Sequence, residues 1–300
     1  MPNNPLHIKN MASAKFSHGL VAAASHGDAS LLLEKIMERN FSPGHLREAL
    51  RAAAGNGHIE CLRLLALEPA SMEDRCLALD FAAFSGEVDS VEFLISISDP
   101  TFDDSAALRS AARNGHAGCV ALLASVSDPK ALDSYALRWA AKNNKPECVM
   151  LLAPISDASA DDSSALRFAA RHGMFDAVKF LIPLSNPRCR LSAALRVACY
   201  GGHLECARAL LPVSDPLALN GECLRLAVNA GHLDTVTFLL ESVDYSPVCS
   251  LQDLEAHVAE KRPNRWPAIA EALKAFGERS ALSTTPPNDN PVRLDSCKRL

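Results

Sequence analysis

Apolar and polar positions along most of the chain follow a helical rhythm, and the rhythm itself repeats. In the stretch ALRSAARNGHAGCVALL, apolar residues recur at i, i+3 and i+4 on either side of a short polar break. That spacing places them on one face of an α-helix, so each stretch predicts two short helices joined by a tight turn. Taking the leucine of the phrase ALRxAA as an anchor, it falls at Leu50, Leu79, Leu108, Leu137, Leu166, Leu195 and Leu224, six successive spacings of 29. Leu20 lies 30 residues before the first and Leu254 lies 30 after the last. Below, slots are counted from this anchor, and repeats 1 to 8 carry Leu20 through Leu224.

Slot 3 is alanine in all eight repeats, from Ala23 to Ala227. Slot 7 is glycine in seven of them: Gly27, Gly57, Gly86, Gly115, Gly173, Gly202 and Gly231. The exception is Asn144, which after glycine best tolerates the left-handed conformation that closes a helix. The first helix of each unit is therefore expected to end at slot 7. Serines at slot −3 (Ser105, Ser134, Ser163, Ser192) are placed to cap free amides. The second helix carries phrases like HLECARALL and closes in loops such as Ser98-Asp99-Pro100 and Ser127-Asp128-Pro129. A single unit cannot bury its own apolar face, so the units must stack into a solenoid.

Composition agrees with stacked helices. The apolar fraction is 48%, aromatics contribute only 5%, and 48 residues are alanine, a side chain small enough to let helices approach closely. The formal net charge of −5 excludes the general basic excess of a nucleic-acid binder. No stretch reaches the 18 apolar residues of a membrane span, so no membrane insertion is expected. The ten cysteines are diluted in 300 residues and the first segment lacks an apolar signal core. Reduced thiols and a cytoplasmic location are the expectation.

With the repeat established, the chain resembles the ankyrin-repeat family, whose pattern TPLHxAAxxGHxEVVxLLL is matched by SAALRSAARNGHAGCVALL and SAALRVACYGGHLECARALL. The resemblance covers roughly residues 18–245. It implies an all-α ankyrin-type helical solenoid of about eight helix-turn-helix repeats with short inter-repeat loops and a C-terminal helical cap. Two departures stand out. The period is 29 rather than 33, which implies that the projecting β-hairpin of the family is cut to a turn, and arginine takes the place of the Thr-Pro-Leu-His histidine. A looser resemblance connects such compact arrays with bacterial ankyrin proteins, including effectors delivered into host cells by a non-Sec route.

The expected organisation is a flexible N-terminus at 1–17, the array at 18–250, the helical cap at 251–279 and a disordered tail at 280–300. Self-similarity also disarms most candidate chemistry. Cys61, Cys119, Cys148 and Cys206 share slot 11 with Ser90, Ala177 and Thr235, which reads as a slot for a small packed residue. His58, His116, His203 and His232 follow the slot-7 glycine and read as helix-boundary residues. There is no phosphate loop, GxGxxG or HExxH, so no cofactor, no metal and no catalytic residue is expected. The enzyme alternative would need a single reactive thiol such as Cys189 or Cys249.

Recognition is then expected where exposed slots vary. Slots 5 and 6 face the concave side in ankyrin-like arrays. Slot 5 reads Ser25, Gly55, Phe84, Arg113, Lys142, Arg171, Tyr200 and Asn229, a basic centre flanked by two aromatics. Slot 6 contributes Asn114, Asn143 and His172. Slot 1 holds a ladder of arginines, among them Arg109, Arg138, Arg167 and Arg196, on the same helix face. The ladder reads either as structural, bonding neighbouring aspartates or free carbonyls, or as a secondary binding surface. Large slot-2 residues (Phe81, Trp139, Phe168, Leu226) read as packing. The expected function is a monomeric, non-catalytic protein-interaction scaffold that binds an acidic segment of a partner protein. A translocated effector acting on a host protein is the alternative.

Overall fold

The computed structural model describes residues 19–261 and 267–283. The expected flexible N-terminus, and the tail from residue 284 onward, lie outside the described residues. Everything described is helix, turn or loop, with no strand among the described residues. The elements come in pairs. Residues 19–26 form α1, followed by α2 (Ala29–Met37), α3 (Pro43–Gly55), α4 (Ile59–Ala66), α5 (Met72–Ser85) and α6 (Val88–Ile95). The central pairs are α7 (Phe102–Asn114) with α8 (Ala117–Leu123), α9 (Ala131–Lys142) with α10 (Pro146–Leu152), and α11 (Ala160–Arg171) with α12 (Phe175–Leu181). Then come α13 (Cys189–Gly201), α14 (Leu204–Leu210), α15 (Ala218–Ala230) and α16 (Leu233–Ser242). Two further helices, α17 (Leu251–Lys261) and α18 (Pro267–Ser283), follow the last repeat. The last of these runs to Ser283, past the boundary expected at residue 279, because Ser280-Ala281-Leu282 offers no helix breaker.

The chain divides into two compact units, Met1–Ala194 and Leu195–Leu300. In the first, successive first helices pack on one another (α3 on α5, α5 on α7, α7 on α9, α9 on α11), and successive second helices do the same. The anchor leucines and the slot-3 alanines are buried throughout. An anchor leucine removed from water contributes roughly 1.5–3 kcal/mol, and the paired alanines let the next helix close over it. In the second unit, α17 packs on α15 and α18 on α16, so the last repeat's apolar face is covered.

The first helices begin in two ways. In repeats 2 and 3 the start is conventional: Ser42 and Ser71 are N-caps whose hydroxyls accept the amides of His45 and Asp74. From repeat 4 onward the chain enters the helix through three consecutive left-handed residues. These are Asp103-Asp104-Ser105, Leu132-Asp133-Ser134, Asp161-Asp162-Ser163, Arg190-Leu191-Ser192 and Leu219-Asn220-Gly221, with φ between 48° and 68°. One backbone bond closes each turn, as from the Ser134 amide to the Lys130 carbonyl at 3.0 Å. This turn stands where the four-residue deletion removed the hairpin.

The serine that completes the turn does not cap its own helix. The Ser105 hydroxyl accepts the Asp128 amide at 2.9 Å, Ser134 the Asp157 amide at 2.8 Å and Ser163 the Asn186 amide at 2.9 Å. Each links its turn to the loop that closes the same repeat: Ser127-Asp128-Pro129, Ser156-Asp157-Ala158 or Ser185-Asn186-Pro187. The serine of that loop bonds backward, as Ser127 Oγ donates to the Pro100 carbonyl at 3.2 Å. The loop aspartate accepts the amide two residues on, as Asp128 does from Lys130 at 2.9 Å. Left-handed backbone costs an L-residue roughly 1–2 kcal/mol. Leu132 adopts it with its side chain 47% exposed, so packing returns little. Leu132→Gly should therefore raise stability by about 0.5–1 kcal/mol in urea titration, after the entropy cost of glycine. Leu132→Ala, which keeps the strain, should not.

Candidate functional site

Several slot-5 side chains project outward from backbones that the next repeat holds. Phe84 is 57% exposed, while its carbonyl accepts from His116 Nε2 at 2.9 Å and from Asn114 Nδ2 at 3.3 Å. The Lys142 carbonyl is bonded by His172 Nε2 at 2.9 Å. In the second unit Tyr200 is 62% exposed and its carbonyl is bonded by His232 Nε2 at 3.0 Å. Arg113, Arg171 and, in the second unit, Asn229 are exposed as well. The histidines thus do more than mark a helix boundary. His58, His116 and His232 each reach across to the repeat before their own. Repeat 6 has Met174 where repeats 2, 4, 7 and 8 have histidine, and His172, two residues earlier, supplies the imidazole instead.

The slot-6 residues accordingly divide. Asn114 and His172 tie neighbouring repeats, whereas Asn143 Nδ2 returns to the Trp139 carbonyl of its own helix at 3.0 Å. The structure puts these three side chains in contact with backbone.

The slot-1 ladder is bonded to the chain itself. Arg109 donates to the Asp103 carbonyl at 2.6 Å and to its carboxylate at 3.2 Å. Arg138 donates to the Leu132 carbonyl at 3.3 Å and pairs with Asp161 of the following repeat at 3.0 Å. Arg167 donates to the Asp161 carbonyl at 3.1 Å, and Arg196 pairs with Glu222. The aspartates involved belong to the left-handed turns, not to the Ser-Asp-Pro loops. The arginines brace the turns from the helix they lead into. Burial lowers the Arg167 pKa from its usual value, with the nearby Arg190 charge adding to the effect.

Trp139 is the residue that periodicity alone assigned only to packing. Half-buried on α9, it lies under two cations: Arg113 of the preceding repeat, with Cζ 5.0 Å from the ring centroid, and Lys142 Nζ at 4.0 Å. Tyr135, one turn earlier, stacks on it at 5.1 Å and lies under Arg109 at 5.5 Å. The i, i+4 spacing of Tyr135 and Trp139 on a face that also carries Arg138 and Lys142 was the available signal.

Among the described residues no group of three or more metal-binding side chains assembles. The slot-11 thiols are buried, and burial pushes Cys119, Cys148 and Cys206 up to about 11. They are protonated at neutral pH, which removes the reactive thiolate form.

A family model of ankyrin repeats matches the chain in three copies, over residues 20–106, 108–193 and 166–249. The chain belongs to the ankyrin-repeat family. Its helix pairs form an ankyrin-type helical solenoid, a protein–protein interaction module. A search of curated proteins found no match. In this ankyrin array no described helix is long and apolar enough to cross a membrane.

Proposed function

We propose that this ankyrin array is a non-catalytic scaffold that captures an acidic segment of a partner protein along the slot-5 face of its first unit. The observation that carries the reading is the layer of Arg113, Trp139 and Lys142. A cation over an aromatic ring gains about 0.5–1 kcal/mol at an exposed site. The ring does not neutralise the cation, so two positive charges remain available to an incoming carboxylate. The ladder arginines differ in this respect, since Asp103, Asp161 and Glu222 already accompany them. Aromatic rings beside arginine are also the residue types that anchor protein interfaces. Because the Phe84 and Lys142 backbones are held by the next repeat, binding requires little ordering of the array there.

Peptides selected by display against the folded chain should be enriched in Asp and Glu, and their affinity should fall with added salt. The double variant Arg113→Glu/Arg171→Glu should bind the best of them at least about tenfold more weakly, with an unchanged circular dichroism spectrum and melting curve. Selection of neutral or basic peptides, or full affinity in the folded double variant, would sink the reading.

A further inference from the structure

Repeat 2 departs from its neighbours at two slots one helical turn apart. Slot 5, which carries a side chain in the other seven repeats, is Gly55. Its backbone is ordinary right-handed helix and an added Cβ would find its nearest neighbour, Ser85 Oγ, at 3.4 Å. Neither conformation nor crowding requires glycine there. Slot 1 is Arg51. Its helix starts at a Ser42 capping box, so the left-handed carbonyl that holds Arg109, Arg138 and Arg167 does not exist in repeat 2. The Arg51 guanidinium instead lies over the Phe81 ring of repeat 3, its Cζ 3.8 Å from the centroid, with no hydrogen bond or ion pair among the described residues. The missing side chain at Gly55 leaves an open cleft of about 370 Å³, walled by Val21, Ala52 and Phe81 and bordered by Arg51 and Glu48.

We infer that this cleft is a binding site for an aromatic side chain that has a single carboxylate beside it, supplied by the partner segment. The inference rests on the reading of the slot-5 face as a protein-binding surface and adds an anchor to it. The volume lies within the roughly 300–1,000 Å³ of ligand clefts. The apolar walls take the ring, and the guanidinium over Phe81 is available to a carboxylate in charge-assisted hydrogen bonds. Glu48 on the border repels a second carboxylate, so the cleft selects one acid next to a ring rather than an acidic run.

The test is a titration of the ¹⁵N-labelled full chain with three probes, followed by NMR. N-acetyltryptophan carries both groups, N-acetyltryptophanamide only the ring, and N-acetylalanine only the carboxylate. N-acetyltryptophan should shift the Gly55, Asn56 and Ser85 amides and bind at least about tenfold more tightly than either other probe. Gly55→Leu, which the available space and helix propensity both permit, should abolish the shifts in a chain whose other resonances are unmoved. Arg51→Gln should reduce N-acetyltryptophan to the affinity of its amide. Equal binding of acid and amide to the parent chain, or undiminished binding by Gly55→Leu, would overturn the inference. Arg113→Glu/Arg171→Glu should leave all three affinities unchanged, so the cleft and the basic stripe succeed or fail separately.

Discussion

The triple variant Ser105→Ala/Ser134→Ala/Ser163→Ala should lose about 3–6 kcal/mol of stability without losing its helical circular dichroism at low denaturant. All three serines are fully buried, and each hydroxyl is the acceptor for a loop amide 23 residues on. Alanine keeps the left-handed strain and removes that acceptor. An orphaned buried donor costs roughly 1–3 kcal/mol. The three sites sit in different repeats and share no partner, so their single-variant costs should add to within about 0.5 kcal/mol. Urea titrations of the three single variants and the triple would measure this. A triple variant within about 1 kcal/mol of the parent would show that the turns are held by their own backbone bonds and the arginines alone.

Gly86→Ala is the second large effect, at about 2 kcal/mol. Gly86 closes α5 at φ 87°, where alanine is strained by about 1 kcal/mol. An added Cβ would also run into the His116 imidazole and displace it from the Phe84 carbonyl, a bond worth about 1 kcal/mol. His116→Ala alone should therefore cost about 1 kcal/mol. The double variant should cost less than the sum of the two singles, because the clash and the lost bond are partly one event. Simple additivity in this cycle would mean that the glycine serves its own helix end and nothing beyond it. The same pairing recurs at Gly27, whose added Cβ would lie 2.7 Å from His58 Nδ1.

Much of this architecture was legible before any coordinates. The anchor leucines and slot-3 alanines are buried as their spacing required. Asn144 adopts φ 57°, the left-handed value that its place in the glycine slot demanded. The truncation of the hairpin to a turn followed from the shorter period. Its left-handed form did not, since Asp103-Asp104 and Leu132-Asp133 have little composition in common. No local preference asks leucine to take φ 50°. The conformation is imposed from outside by the serine tie, the arginine brace and the packing of the helix that follows.

The candidate site divides along the same line. The exposure of Phe84, Arg113, Lys142, Arg171 and Tyr200 follows from slot position, and variation among repeats singles them out. The engagement of Asn114 and His172 with the preceding repeat does not, because it depends on partners 30 residues away. Nor could spacing place Arg113 and Lys142 over one indole ring, or reveal that Arg51 rests on Phe81 beside an empty slot.

The sequence by itself determined the helix pairs, their register, the residues that stack and the slots that face outward. Those follow from side-chain period and from glycine at the helix ends, which act within a few residues. Only the tertiary structure decided which cations brace the chain and which lie over an aromatic ring instead. That depends on which carbonyl or carboxylate the next repeat brings within hydrogen-bond reach, a distance that no local pattern encodes.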